Sequence, residues 1–581
     1  MLKRLFRRLV RLLIFAVIVF VIVGVVRFFA HRYQPGSVIV FQLDGPVLER
    51  GSYSIPGLTR THQTALNVVR RTLRGAESDP RITGLAVKVL DPDMELAQAQ
   101  ELSSLITEFG QHGKWTIAYL ETAGESGYGN LPYLVASAAK EVSMMPQGEM
   151  NLLGVSIREL FARGLLDWMK IKPELDAIGK YKDAGNIFTE KKYTAAQYEQ
   201  DDSLASEMFE QIVNETARHR HLPPDAIRAV IDRAPISANE AMRVHLLDRL
   251  EFEDQFTEHV ENYRGEHHEL IDYDSYSPPS QLWFASHPKI AIVYGVGAIQ
   301  RGESSYDPVL SPGSTSMGSD DISDAFKKAR EDSSIRAVVF RINSPGGSVI
   351  ASELIRHQVE LCAGKKPVVI SMSEYAASGG YWIATPGAQI FADPGTITGS
   401  IGVLGGKFNF SGGAQAIGLN SAAVTRGKNA GMFDPFSGFT PSQSDLFHQQ
   451  ILGDTYQYFL KLVAERRHMT VSQVNEIAQG RVWTGAQAVQ NKLVDRLGGL
   501  DAALNQAKIL ARIGPQEQVQ LVELPGAPGI LSRLLTGRIY DEAVVSSNLP
   551  HALEPLLWLA SAALDRRSII GQAYCPLVPV L

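Results

Sequence analysis

The sequence predicts an α/β protein built from two tandem copies of one domain. Three observations carry this. First, segments far apart in the 581-residue chain read alike. SVIVFQLDGPVLERG (Ser37 to Gly51) matches KIAIVYGVGAIQRGE (Lys289 to Glu303), and DPRITGLAVKVLDPD (Asp79 to Asp93) matches DSSIRAVVFRINSPG (Asp332 to Gly346). TIAYL from Thr116 matches VVISM from Val368, and ANEAMRVHLLDRL (Ala238 to Leu250) matches GAQAVQNKLVDRL (Gly485 to Leu497). The period of roughly 250 residues is a duplicated domain, far beyond solenoid scale. Second, these segments are near-continuous apolar runs, the pattern of strands buried on both faces. They alternate with helix-length amphipathic stretches such as Ala351 to Leu361 and Ser442 to Arg467. That alternation gives α/β units with right-handed crossovers. Third, the join DYDSYSPPSQ (Asp272 to Gln281) is polar and Pro-rich, as linkers are.

The N-terminus adds a membrane segment. Lys3, Arg4, Arg7, Arg8 and Arg11 precede an uncharged run from Leu12 to Val26. The run is slightly short for a span, and snorkelling by Arg11 and Arg27 extends it. A cleaved signal peptide is the competing possibility, but no small-x-small site follows. The basic flank places the N-terminus in the cytoplasm and the body across the membrane. The expected organisation is therefore a basic segment at 1–11, a transmembrane anchor at 12–30, an N-terminal repeat at 36–272, a linker at 273–287, a C-terminal repeat at 288–512 and a tail at 513–581. Within the tail, Ala552 to Leu564 is strongly apolar and is expected to dock on protein or on the membrane surface.

A formal net charge of -6 gives no basic face for nucleic acid. Cys362 and Cys575 are far apart and form no CxxC pair, which argues against a disulfide framework or zinc ribbon. His267 and His268 read as an exposed loop pair, and Glu199 to Asp202 as a solvated helix start. There is no Walker A sequence, dinucleotide fingerprint or EF-hand loop.

Two motifs in the second half carry chemistry. RINSPGGSVIASE (Arg341 to Glu353) sets a Pro-Gly-Gly turn between a buried strand and a helix. Glycines there turn backbone N–H groups toward a ligand, although a tight structural turn looks similar. SEYAASGGYWIATP (Ser373 to Pro386) places Ser378 among small residues, followed by Gly379 and Gly380. Small neighbours admit a substrate carbonyl, and the next N–H faces a developing oxyanion. A helix start packed closely on a strand would need the same residues. Tyr381 and Trp382 either line the site or pack the core.

Taken in order with DPGTITGSIGV (Asp393 to Val403), these motifs resemble the signal peptide peptidase A (protease IV) family, within the wider Clp-protease and crotonase-like fold. The duplication and anchor resemble its long form, and the resemblance covers about residues 36–512. It implies a membrane-anchored serine endopeptidase of the bacterial inner membrane with a periplasmic body. Its substrates would be signal-peptide remnants and other extended hydrophobic peptides. It also implies a homo-oligomeric ring and no metal or organic cofactor. Ser378 would be the nucleophile, with Gly379 and Gly346 or Gly347 in the oxyanion hole. Ser400 would hydrogen-bond the catalytic lysine. No histidine lies between Ser378 and His448, so a lysine is the expected base. A lysine at its ordinary pKa of about 10.4 must be desolvated to serve. Lys182 (YKDAG) in the first half and Lys428 (GKNAG) in the second are the candidates, and the resemblance favours Lys182. Repeat alignment sets Asn130 opposite Ser378 and VLDPDMEL (Val89 to Leu96) opposite the Pro-Gly-Gly turn, so the first half has lost its nucleophile. Two other classes stand beside this one: a crotonase-like acyl-CoA enzyme and a non-catalytic membrane scaffold.

Overall fold

In the computed structural model the described residues are 33–51, 63–125, 127–278, 287–304, 316–515, 517–526 and 572–573. The anchor at 12–30, most of the linker and the apolar tail stretch from Ala552 lie outside them. Among the described residues no helix is long and apolar enough to cross a membrane.

Each half is built on a mainly parallel sheet, and the two sheets share one order over most of their strands, the second adding a branch in which Ile397–Gly399 pairs antiparallel with Val482–Thr484. In the first, the order is Leu270–Asp272, Ser37–Leu48, Ile82–Asp93, Trp115–Leu120, Glu141–Met144, Arg249–Leu250. In the second it is Gln520–Leu524, Lys289–Val296, Ile335–Ser344, Val368–Ala377, Gln389–Ala392, Arg496–Leu497. The central strands are buried on both faces, which explains their uninterrupted apolar sequence. Ile39, Phe41 and Leu85 point into one core, and Val38, Ala86 and Ile117 into another. Ala291, Val293 and Val338 oppose Ile290, Ile292 and Val339 in the same way. The repeat extends beyond residue 512. Gln520–Leu524 takes the edge place in the second sheet that Leu270–Asp272 takes in the first.

The halves are fused by buried polar contacts. Arg341 is 1% exposed. Its Nε donates to Glu49 Oε2 at 2.7 Å, and it also donates to Glu101, Ser371 Oγ and Ser373 Oγ. Burial drives the Glu101 carboxyl upward, while the Arg341 charge opposes that rise. The N–H of Ala97, in the first turn of the helix Leu96–Gln111, donates to Glu374 at 3.0 Å. Gln100 accepts from the Gly395 N–H at 2.7 Å, and Gln211 donates to the Pro394 carbonyl at 3.0 Å. The first-half strand Lys172–Ile178 leaves its own sheet and pairs antiparallel with the second-half strand Val403–Asn409.

Arg341→Ala strands two buried carboxylates without their cation, and stability should fall by about 3–5 kcal/mol. Urea unfolding checks this. A combined Arg341→Met, Glu49→Gln, Glu101→Gln protein should lose less than the single variant, because no unpaired charge remains.

Candidate active site

The strand Val368–Ala377 drives straight into Ser378, and the helix Gly379–Ala384 leaves it at once. Ser378 turns the chain with φ 54° and ψ -113°, a left-handed conformation that a residue with a Cβ adopts only under strain. The surroundings hold it there. Its N–H donates to the Gly399 carbonyl at 2.8 Å, and its own carbonyl accepts from the Trp382 N–H at 2.9 Å. Ser378 is fully buried. The glycines after it are required by close packing. A Cβ on Gly379 would lie 2.7 Å from Ser352 Oγ and 3.2 Å from the Gly347 nitrogen, and one on Gly380 would lie 2.6 Å from the Ser344 carbonyl oxygen.

The Pro-Gly-Gly turn lies against this helix start. Gly346 and Gly347 have φ of 110° and 150°, closed to most side chains. The Gly346 N–H donates to Ser344 Oγ at 3.2 Å. Gly347 lies beside Gly379, whose own N–H opens a helix and has no partner within it. Gly347–Ser348 pairs antiparallel with Gln572–Ala573, and Gln572 also pairs with Leu404. The chain thus runs its own extended segment through a slot one strand wide, beside the Pro-Gly-Gly turn.

Lys182 comes from the other half. The strand Lys172–Ile178 ends at Gly179, whose φ of 123° turns the loop inward. The loop is clamped by second-half residues. The Tyr181 N–H donates to the Gln479 carbonyl at 2.8 Å, and a Cβ on Gly480 would meet Lys182 Cβ at 2.5 Å. Lys182 is 5% exposed. Its Nζ lies 2.8 Å from Ser378 Oγ, 3.0 Å from Ser400 Oγ and 3.2 Å from the Ser400 carbonyl oxygen. A neutral amine in this setting accepts the Ser378 hydroxyl proton and donates its own N–H bonds to Ser400. Ser400 has φ 49°, and its N–H is fixed to the Arg481 carbonyl at 2.8 Å.

The structure thus brings Ser378, Lys182 and Ser400 together, with Gly346, Gly347 and Gly379 beside them. Lys428 is not in this group; it is exposed, and its carbonyl accepts from Gln443 Nε2 at 3.3 Å. Asn130 occupies the place in the first half that Ser378 has in the second. Its Nδ2 donates to the Gly154 carbonyl at 2.7 Å and its Oδ1 accepts from the Gly154 N–H. The alignment is fixed by the tyrosines: Tyr133 donates to the Leu246 carbonyl as Tyr381 does to Leu493. Tyr381 and Trp382 are core residues.

Two sequence expectations are corrected. His268 is buried, not exposed, with Nδ1 2.7 Å from the Gly36 carbonyl oxygen. The acidic stretch Glu199 to Asp202 is solvated only in part. Glu199 meets Lys180 and Arg481 at the surface, whereas Asp201 is buried near Asp183 and Glu159. Among the described residues no group of histidine, cysteine and acidic side chains is arranged to hold a metal. The clamp at Gln479–Gly480 carried no sequence signal beyond an isolated glycine.

Fold and site together describe an α/β serine peptidase. The family model for peptidase family S49 matches residues 108–265 and 360–514. Protease 4 of Salmonella typhi is 30% identical over 518 residues, covering 86% of this chain and 79% of that one. Protease 4 of Haemophilus influenzae is 31% identical over 472 residues, covering 77% and 73%. The chloroplastic serine protease SPPA of Arabidopsis thaliana is 28% identical over 519 residues, covering 87% and 74%. The chain belongs to peptidase family S49, and the likeness to signal peptide peptidase A stands. A solved membrane-bound stomatin-specific protease in complex with a substrate peptide aligns at 15% identity over 44% of this chain and 98% of that one, with a TM-score of 0.26, too loose a likeness to bear on the site.

Two outcomes follow for the lysine's surroundings. Gly480→Ala pushes a methyl to within 2.5 Å of Lys182 Cβ and 2.6 Å of its backbone nitrogen at a φ of 75°, and should cut kcat about 100-fold in a peptide-cleavage assay while also lowering the melting temperature. Burial, followed by the charges of Asp183 and Glu159, pushes the Asp201 carboxyl up to about 8. Burial likewise pushes Glu159 to about 7 and Asp183 to about 6. The folded protein therefore holds protons that the unfolded chain releases near pH ~4, so this cluster lowers stability as pH rises from about 4 to 8. Asp201→Asn should flatten that decline in melting temperature between pH 5 and pH 8; an unchanged slope would contradict the assignment.

Proposed function

We propose that the chain is a membrane-anchored serine endopeptidase with Ser378 as nucleophile and Lys182 as general base. It degrades signal-peptide remnants and other extended hydrophobic peptides on the periplasmic side of a bacterial inner membrane, as a homo-oligomeric ring. The observation that carries this is the 2.8 Å contact between Lys182 Nζ and Ser378 Oγ, both buried. Burial disfavours the ammonium form and so favours the neutral amine a base needs.

Neutral Lys182 takes the Ser378 hydroxyl proton as Oγ attacks the peptide carbonyl carbon. The oxyanion is held by the Gly379 and Gly347 N–H groups; losing one such donor typically costs about 2.7–4 kcal/mol of barrier. Lys182 then delivers its proton to the leaving amine as the C–N bond breaks. Water, deprotonated by Lys182, releases the acyl group and restores Ser378. Ser400 orients the amine in each step. An extended substrate fits the slot now held by Gln572–Ala573, between Gly347–Ser348 and Leu404, where strand pairing recognises backbone rather than sequence. That supports a peptide over an acyl-CoA ligand, and the buried contact between Lys182 and Ser378 favours an enzyme over a purely structural scaffold.

The test is cleavage of an apolar peptide together with fluorophosphonate labelling of the full chain. Ser378→Ala and Lys182→Ala should each lose at least about 1,000-fold in kcat and lose labelling, and Lys428→Ala should keep both. Labelling of Ser378→Ala at the wild-type level would overturn the assignment, and dependence on Lys428 in place of Lys182 would move the base.

A further inference from the structure

The loop that carries Lys182 is tied on both sides of the lysine to one place, Glu199 and Gln200 in the helix Ala195–Arg220. Before the lysine, the Tyr181 hydroxyl donates to Glu199 Oε1 at 2.7 Å. After it, Asp183 Oδ2 accepts from Gln200 Nε2 at 2.7 Å. The same two side chains also reach the second half. Glu199 Oε1 accepts from Arg481 Nη1 at 3.2 Å, and Gln200 Oε1 accepts from the Val482 N–H at 2.9 Å.

The two straps differ in weight. Glu199 is exposed, and an ion pair in water holds little. Gln200 is 1% exposed, with both its oxygen and its nitrogen hydrogen-bonded. A buried polar group pays for lost bonds in full, so this strap resists stretching. Its far end is the backbone of the nucleophile. Val482 pairs with Gly399, whose carbonyl accepts from the Ser378 N–H at 2.8 Å. The Arg481 carbonyl, one residue earlier, accepts from the Ser400 N–H at 2.8 Å. One buried amide therefore stands between the residue after Lys182 and the strand that sets both serines. The position needs a donor at one atom and an acceptor at the other. A carboxylate only accepts, and an apolar side chain does neither.

We infer that Gln200 is a positioning residue for the Ser378–Lys182 pair. It acts through Asp183 on one side and Val482 on the other, and so fixes the approach of Lys182 Nζ to Ser378 Oγ. The inference rests on Lys182 as the base and adds to that reading the group that holds the base in register with the other half of the chain.

The experiment uses the full chain. Gln200→Leu strands Asp183 and the Val482 N–H together. Gln200→Glu keeps the acceptor for Val482 but sets a carboxylate against Asp183. Gln200→Glu/Asp183→Asn restores the pair with donor and acceptor exchanged. The two single variants should lose at least about tenfold in kcat with KM within about twofold, since the slot beside Gly347–Ser348 is left intact. Fluorophosphonate should label them more slowly but to the same final number of sites per chain, whereas a partly unfolded protein would lose sites. The double variant should return to within about threefold of wild type in kcat. Gln211→Leu removes a different bond between the halves, the one to the Pro394 carbonyl, and should lower the melting temperature with kcat unchanged. Wild-type labelling rates in Gln200→Leu, no recovery in the double variant, or an equal loss of kcat in Gln211→Leu would each overturn the positioning role. Wild-type labelling of Lys182→Ala would overturn the base itself. An inactive Lys182→Ala beside an unimpaired Gln200→Leu overturns the positioning role alone.

Discussion

Everything in this protein is arranged around one contact, an amine from one half of the chain against a hydroxyl from the other. Lys182 Nζ and Ser378 Oγ meet at 2.8 Å although 196 residues separate them. A buried amine tolerates little displacement, so the two halves must sit as one rigid body. The buried Arg341 network, the Glu374 bond to the helix start at Ala97 and the strand Lys172–Ile178 laid on Val403–Asn409 all hold that position. The strain at Ser378 depends on the same rigidity, because the conformation persists only where its neighbours leave no alternative.

Duplication explains how such a site arises. The two sheets share one order over most of their strands, yet only one half keeps the serine turn and the Pro-Gly-Gly turn. In the other, Asn130 folds back on Gly154 and seals the equivalent position with its own amide. The halves contribute different parts to the site: one carries Ser378 and the Pro-Gly-Gly turn, the other brings Lys182 on an arm. The lysine has buried acids behind it, with Asp183 raised to about 6 and Asp201 to about 8 by burial.

Much of the fold was legible because it is written locally and written twice. Strands buried on both faces give continuous apolar runs, and each run has a counterpart in the other half. The serine turn was legible from its glycines, which close packing against Ser344 and Ser352 demands. The partnership of Lys182 with Ser378 had no local signal, and came from repeat alignment and family likeness. What the sequence hid is long-range. Nothing near Gly480 indicates that it clamps a lysine, and nothing near Arg341 names Glu49 and Glu101 as its partners. Asp201 was misjudged because an acidic run at a helix start is usually solvated, whereas here one of its members turns inward. Leu270–Asp272 and Gln520–Leu524 are too short and too dissimilar in sequence to expose the final repeat of the edge strand.

The central claim is that a single chain completes its own dyad. Co-expression of a Ser378→Ala chain with a Lys182→Ala chain, followed by a peptidase assay of the mixed assemblies, tests it most directly. The account predicts no recovery, since every chain in the mixture lacks one half of its own pair. Recovery to about a quarter of wild-type activity would mean that serine and lysine come from different chains, and would contradict it.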